Sequence, residues 1–112
     1  MASPLQVKLT KAADEDLNAI IHYSLTNYGS ASAKEIHKAI LKRLDEIVDM
    51  PERFPPYVIP NRTFERTYRY ALVKQLYRIV YTLRIVEQEI LVMAITYKRV
   101  DPSRIFTRLE EE

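Results

Sequence analysis

The chain has 112 residues, of which 47% are hydrophobic and 29% charged, and its formal net charge is +2. It contains no cysteine, which excludes a disulfide framework and a thiolate metal site and fits a reducing compartment. The first residues lack the apolar core of a signal peptide, and no stretch approaches the ~18 apolar residues of a membrane span. We therefore expect one soluble, cytoplasmic domain over residues 1–112.

The N-terminal part of the chain has the pattern of a short strand followed by a helix. Residues 5–9 alternate between apolar and polar side chains, which predicts a half-buried strand. Thr10 can cap a helix over residues 11–28, because apolar residues recur there at steps of three and four. Gly29 then stands where a left-handed helix cap is common.

A second helix is predicted directly after Gly29. Ser32 and Glu35 have the spacing of a capping box, so we expect the helix to begin there. It should end near Met50, because Pro51 disfavours helical dihedrals in the residue before it. Residues 51–62 contain four prolines, which indicates an ordered connector and not a central strand.

The C-terminal half changes to the pattern of a sheet. Residues 67–73, 77–85 and 89–97 are rich in β-branched and aromatic side chains, and the gaps between them have hairpin length. These segments predict three antiparallel strands. The order β-α-α-β-β-β separates helices from strands, so we predict an α+β fold in which a helix hairpin packs on one face of an antiparallel sheet.

Charge is unevenly distributed along the chain. Residues 61–109 contain ten Lys or Arg and four acidic residues, a local charge of +6, and the remaining positions sum to −4. A basic half of this kind concentrates anionic partners, although it can also serve only solubility.

The strand at 77–85 carries arginines among apolar residues. Alternation predicts that Tyr77, Ile79, Tyr81, Leu83 and Ile85 face the helices. Arg78 would then lie on the open face of the sheet. The cations that could join it there, as a surface for phosphate or carboxylate groups, are Arg69, Arg84, Lys98 and Arg99. The alternative is an ordinary solvated sheet face.

Four segments of the chain together resemble the ParE/RelE family of bacterial toxins. They are "LTKAADEDLNAI" in the first helix, "RFP" after the second, "YRIVY" in the middle strand and "YKRVDP" after the last strand. The resemblance implies a toxin of a type II toxin–antitoxin (plasmid stabilisation) module, held inactive by a cognate antitoxin in a hetero-oligomer. It implies no cofactor and no metal.

The family divides into two activities, and the resemblance bears on both. RelE-like members cut mRNA on the ribosome with cations and a C-terminal proton-transfer group. The residues that match such a set are Arg69, Arg78 and Arg99, with Tyr97 as a possible proton-transfer group. However, Ala71 stands at a lysine position of these nucleases, and Ile105 and Phe106, which cannot exchange a proton, stand near the proton-transfer position.

These departures favour the ParE-like branch, whose members inhibit DNA gyrase by binding. We therefore favour a binding toxin over an enzyme, and the sequence leaves the choice open. A metal-independent mRNA endoribonuclease and a non-toxic interaction module are the alternatives. His22 and His37 are expected at exposed helix positions with no catalytic or metal role.

Overall fold

The computed structural model describes residues 5–110 and confirms the predicted order of elements. The elements are β1 (Gln6–Leu9), α1 (Lys11–Tyr28), α2 (Ser30–Asp49), β2 (Tyr68–Val73), β3 (Tyr77–Arg84), β4 (Glu89–Tyr97), a 3-10 turn (Pro102–Ile105) and α3 (Phe106–Glu110). The α+β class is therefore confirmed, and the turn and α3 extend it beyond the predicted strands.

The four strands form one mixed sheet in the order β1-β4-β3-β2. β2, β3 and β4 make the predicted antiparallel meander, whereas β1 joins β4 in parallel, with Gln6 opposite Glu89 and Leu9 opposite Val92. The β3–β4 register shifts between Val80 and Tyr81, which leaves Met93 as an extra residue in β4. This bulge lies just where β1 ends and the edge of β4 loses its neighbouring strand.

The junction between the two helices differs from the prediction. Thr10 caps α1 as expected, since its Oγ1 accepts a hydrogen bond from the Ala13 amide. Gly29 has φ 93° and ψ 174°, which is not the left-handed helical conformation, and it both ends α1 and precedes α2. Because α2 already begins at Ser30, the predicted capping box is wrong: Ser32 instead contacts Ser24 through their hydroxyls, and Glu35 pairs with Lys74.

The first hydrophobic core lies between the helix hairpin and one side of the sheet, which we call the helix face. Ile40 and Ile47 of α2 are fully buried there against Ile79 and Tyr81 of β3. Each such side chain contributes roughly 1.5–3 kcal/mol on burial. The predicted inward residues of β3 are confirmed up to Leu83, but Ile85 lies beyond the strand and is exposed.

The opposite side of the sheet, the second face, is not open as predicted. A second core covers it, in which Val80 and Met93 of the sheet pack beneath the connector and α3. The covering side chains are Tyr57, Ile59, Phe64, Ile105, Phe106 and Leu109. Within residues 5–110, no helix is both long enough and apolar enough to cross a bilayer.

The proline-rich connector reaches the second face by passing along the edge of β2. Pro56 bridges to Arg69, the Tyr57 amide donates to the Tyr68 carbonyl, and the Tyr70 amide donates to the Pro55 carbonyl. Prolines suit this position because they add no further donor to the edge. The connector therefore both protects the edge strand and supplies the lid of the second core.

Candidate target-binding site

Two aromatic rings hold Arg78 on the second face, near the start of β3. It lies opposite Leu72 on β2 and Thr96 on β4. Its guanidinium carbon is 5.1 Å from the ring centroid of Tyr70 and 5.6 Å from that of Tyr57. Stacking of this kind stabilises a cation that is partly removed from water.

The polar atoms of Arg78 are only partly satisfied. Its Nε is buried and has no hydrogen-bond partner among the residues that the structure describes. Burial raises the pKa of the Tyr57 hydroxyl, and the neighbouring Arg78 guanidinium acts in the opposite direction. Arg78 is half-buried, so its charge is fixed in orientation while part of the group still reaches solvent.

Arg69 does not join Arg78, and this part of the sequence prediction is wrong. Arg69 pairs with Tyr81, so it points to the helix face, whereas Arg78 pairs with Leu72 on the second face. The Arg69 guanidinium donates to the Phe54 carbonyl at 2.8 Å and thereby fixes the start of the connector. The five predicted cations therefore do not form one surface.

Arg84 shares the second face with Arg78 but lies at the other end of β3. They are six positions apart along the strand, which corresponds to about 20 Å. Arg84 forms ion pairs with Glu87 at 2.8 Å and Glu89 at 3.3 Å. These ion pairs fix the β3–β4 turn, so Arg84 has a structural role at this end of the sheet.

Lys98 and Arg99 lie at the same end of the sheet as Arg78. Both are exposed and directly follow β4. The Lys98 amide donates to the Leu76 carbonyl at 2.8 Å, which attaches this segment to the β2–β3 turn. Arg78, Lys98 and Arg99 thus remain as the cations that one end of the sheet presents.

The candidate catalytic residues are not brought to one point. Tyr97 pairs with Tyr77 on the helix face, on the side of the sheet opposite to Arg78. Ile105 and Phe106 pack in the second core, so they form part of its hydrophobic cover. The predicted proton-transfer candidate Tyr97 is therefore separated from Arg78 by the sheet.

The histidines are exposed on the helices, as predicted. His22 and His37 both line a groove on the outer surface of the helix hairpin, a proximity that their separation in sequence did not reveal. Across residues 5–110 no group of three or more His, Cys, Asp or Glu side chains could hold a metal ion.

Comparison with known proteins assigns the family. The family model for the ParE toxin of the type II toxin–antitoxin system parDE matches residues 7–102. The chain belongs to the ParE toxin family. A search of curated proteins finds no match.

A solved structure supports the same ParE-like fold. The chromosomal ParDE toxin–antitoxin system from P. aeruginosa contains a chain that superposes with a TM-score of 0.67 at 16% identity. The alignment covers 86% of the present chain and 98% of that chain. At this identity the likeness concerns the fold, which is the ParE-like arrangement of a helix hairpin on a four-stranded sheet.

Proposed function

We propose that this ParE-family protein is a bacterial toxin that a cognate antitoxin holds inactive in a hetero-oligomeric complex, and that it inhibits DNA gyrase by binding. Its site of action would be the cytoplasm. Arg78, Lys98 and Arg99 would contribute to target binding by contacting anionic groups.

The observation that carries this proposal is the separation of the nuclease-like residues. Metal-independent RNA cleavage needs cations and proton-transfer groups around one phosphate. Here Arg69 and Tyr97 point to the helix face, whereas Arg78 points to the second face. This separation favours binding over mRNA cleavage.

Two assays on the purified protein, freed of antitoxin, test the proposal. We expect it to inhibit supercoiling of relaxed plasmid by gyrase and to leave mRNA intact in a ribosomal translation mixture. Cleavage of mRNA with unaffected gyrase would replace the proposal with the nuclease alternative. Inactivity in both assays, together with normal growth of cells expressing the protein alone, would favour a non-toxic module.

Arg78→Ala tests the contribution of the second face. We expect at least a tenfold weaker inhibition of gyrase, because a positioned guanidinium is lost. Arg84→Ala is the matched control on the same strand and face, about 20 Å away, and it should inhibit like the wild type. Equal inhibition by folded Arg78→Ala protein would remove this residue from the site.

A further inference from the structure

Exposed tyrosines gather at the end of the molecule that also presents Lys98 and Arg99. Tyr28 at the end of α1 is 70% exposed, and Tyr23, one turn earlier, is about half exposed. Leu76 and Tyr97 are also exposed, and they lie together beside Lys98 and Arg99. We call the following set the tyrosine surface: Tyr23, Tyr28, Leu76, Tyr97, Lys98 and Arg99.

Ring contacts and hydroxyl interactions connect the parts of this surface. The Tyr23 and Tyr28 rings meet edge to face, with centroids 6.3 Å apart. The Tyr97 ring packs on buried Tyr77 at 5.1 Å. Burial, together with the neighbouring hydroxyls of Tyr97, Tyr23 and Tyr28, raises the pKa of Tyr77 to about 12. Buried Tyr77 therefore fixes the Tyr97 ring, and Tyr23 and Tyr28 contact each other at the end of α1.

A cleft opens the surface on the side of the β2–β3 turn. It has a volume of about 740 Å³ and is lined by Gln75, Leu76, Tyr97, Lys98 and Arg99. Neither Lys98 nor Arg99 forms an ion pair within the part of the chain that the structure describes. The apolar side chains of Leu76 and Tyr97 thus lie beside two cations whose charge is available to a partner.

We propose that the tyrosine surface docks an acidic segment of the toxin's protein target, with apolar side chains on the tyrosines and carboxylates on Lys98 and Arg99. This inference rests on the proposed function and names the surface that would carry it. The proposed binding surface thus includes the end of α1 and the β2–β3 turn in addition to Lys98 and Arg99.

The chemistry of the surface favours a protein over a nucleic acid. Tyrosine and arginine are enriched among the residues that dominate protein interfaces, and a pre-positioned tyrosine loses little side-chain entropy on binding. Single-stranded nucleic acid instead requires a basic groove that follows its backbone and aromatic faces that are free to stack. Here two of the rings meet edge to face, and leucine lines the cleft.

The test measures the affinity of purified variants for immobilised gyrase. We expect Tyr28→Ala and Arg99→Glu each to weaken binding at least tenfold, while Tyr28→Phe, which keeps the ring, binds like the wild type. Val86→Ala, at a 92% exposed position on the β3–β4 turn, and Lys42→Glu on α2 are the matched controls and should not change affinity. Thermal unfolding verifies that each variant is folded.

Three results would overturn the inference, and they are distinguishable. Wild-type protein that does not bind gyrase would refute the proposed function and this assignment with it. Wild-type protein that binds, with Tyr28→Ala and Arg99→Glu equally tight, would refute the surface alone. Loss of affinity for a cognate antitoxin, or for single-stranded DNA, with gyrase binding intact would assign the surface to that other partner.

Discussion

An ion pair between Asp16 of α1 and Arg108 of α3 links the two layers of the molecule. The Arg108 guanidinium donates to both carboxylate oxygens of Asp16, at 2.6 and 3.2 Å. Asp16 also accepts the Ile95 amide at 3.0 Å, and Arg108 approaches the Met93 carbonyl at 3.4 Å. The pair thus closes the edge of β4 at its bulge, where β1 has ended.

We expect Asp16→Ala to lower the free energy of unfolding by about 2–3 kcal/mol. This value lies between the ~0.2–1 kcal/mol of exposed ion pairs and the ~3–5 kcal/mol of buried ones, because Asp16 is 18% and Arg108 31% exposed. Asp16→Asn should cost less, since its amide oxygen can still accept the Ile95 amide. For a domain of this size the Asp16→Ala loss corresponds to a fall in Tm of roughly 10 °C.

Urea and thermal unfolding, followed by circular dichroism, measure these changes in a double-mutant cycle with Arg108→Ala. We expect a coupling energy of about 1–2 kcal/mol between the two sites. Glu35→Ala, which removes the exposed pair with Lys74, is the control and should have a much smaller effect. If the losses of stability caused by the Asp16 and Arg108 substitutions add within ~0.5 kcal/mol, the ion pair between the two residues makes no specific contribution to stability.

Two further predictions concern backbone strain and tyrosine ionisation. Gly29→Ala should destabilise the protein by about 1–3 kcal/mol in urea unfolding, because φ 93° with ψ 174° is strained for any residue with a Cβ; unchanged stability would show that the helix junction relaxes freely. Burial raises the pKa of Tyr77 and of Tyr81 to about 12 and also raises that of Tyr57, so at least Tyr77 and Tyr81 of the eight tyrosines should ionise late in an alkaline absorbance titration. Stability should be constant with respect to these groups below pH 10 and fall between about pH 10 and 12, because the unfolded chain loses the protons first; ionisation of all eight tyrosines near pH 10 would contradict the burial.

The elements of the fold were predictable because their signals are local. The apolar steps of α1 and the capping residue Thr10 gave its bounds, and the three strands of the meander were located to within one residue. The parallel placement of β1 beside β4 was not predictable in the same way. It depends on a pairing between residues about 80 positions apart, for which a short alternating strand carries no local signal.

The predicted site placed Arg69 beside Arg78, and this error came from the assumption that one face of the sheet is open to solvent. Arg69 could join Arg78 only if Tyr68 and Tyr70 faced the helices, but both pack in the second core, so Arg69 turns toward the helices. In a strand that is covered on both faces, apolar and polar residues do not alternate regularly, so the sequence does not show which side chains point to which face. The uninterrupted apolar run from Ile90 to Ile95 in β4 was the available signal that both faces are covered.

Burial on both sides restricts where a partner can bind. The helix hairpin covers one face, the connector and α3 cover the other, and the connector also occupies the β2 edge. At the β3–β4 end of the sheet, Arg84 is committed to ion pairs within the chain. At the β2–β3 end, Lys98 and Arg99 form no ion pair within residues 5–110, and they lie beside the exposed side chains of Leu76 and Tyr97. Under the proposed function, a target that recognises charge and apolar surface together would bind at that end, so charge reversal at Arg99 is the most direct test of the proposal.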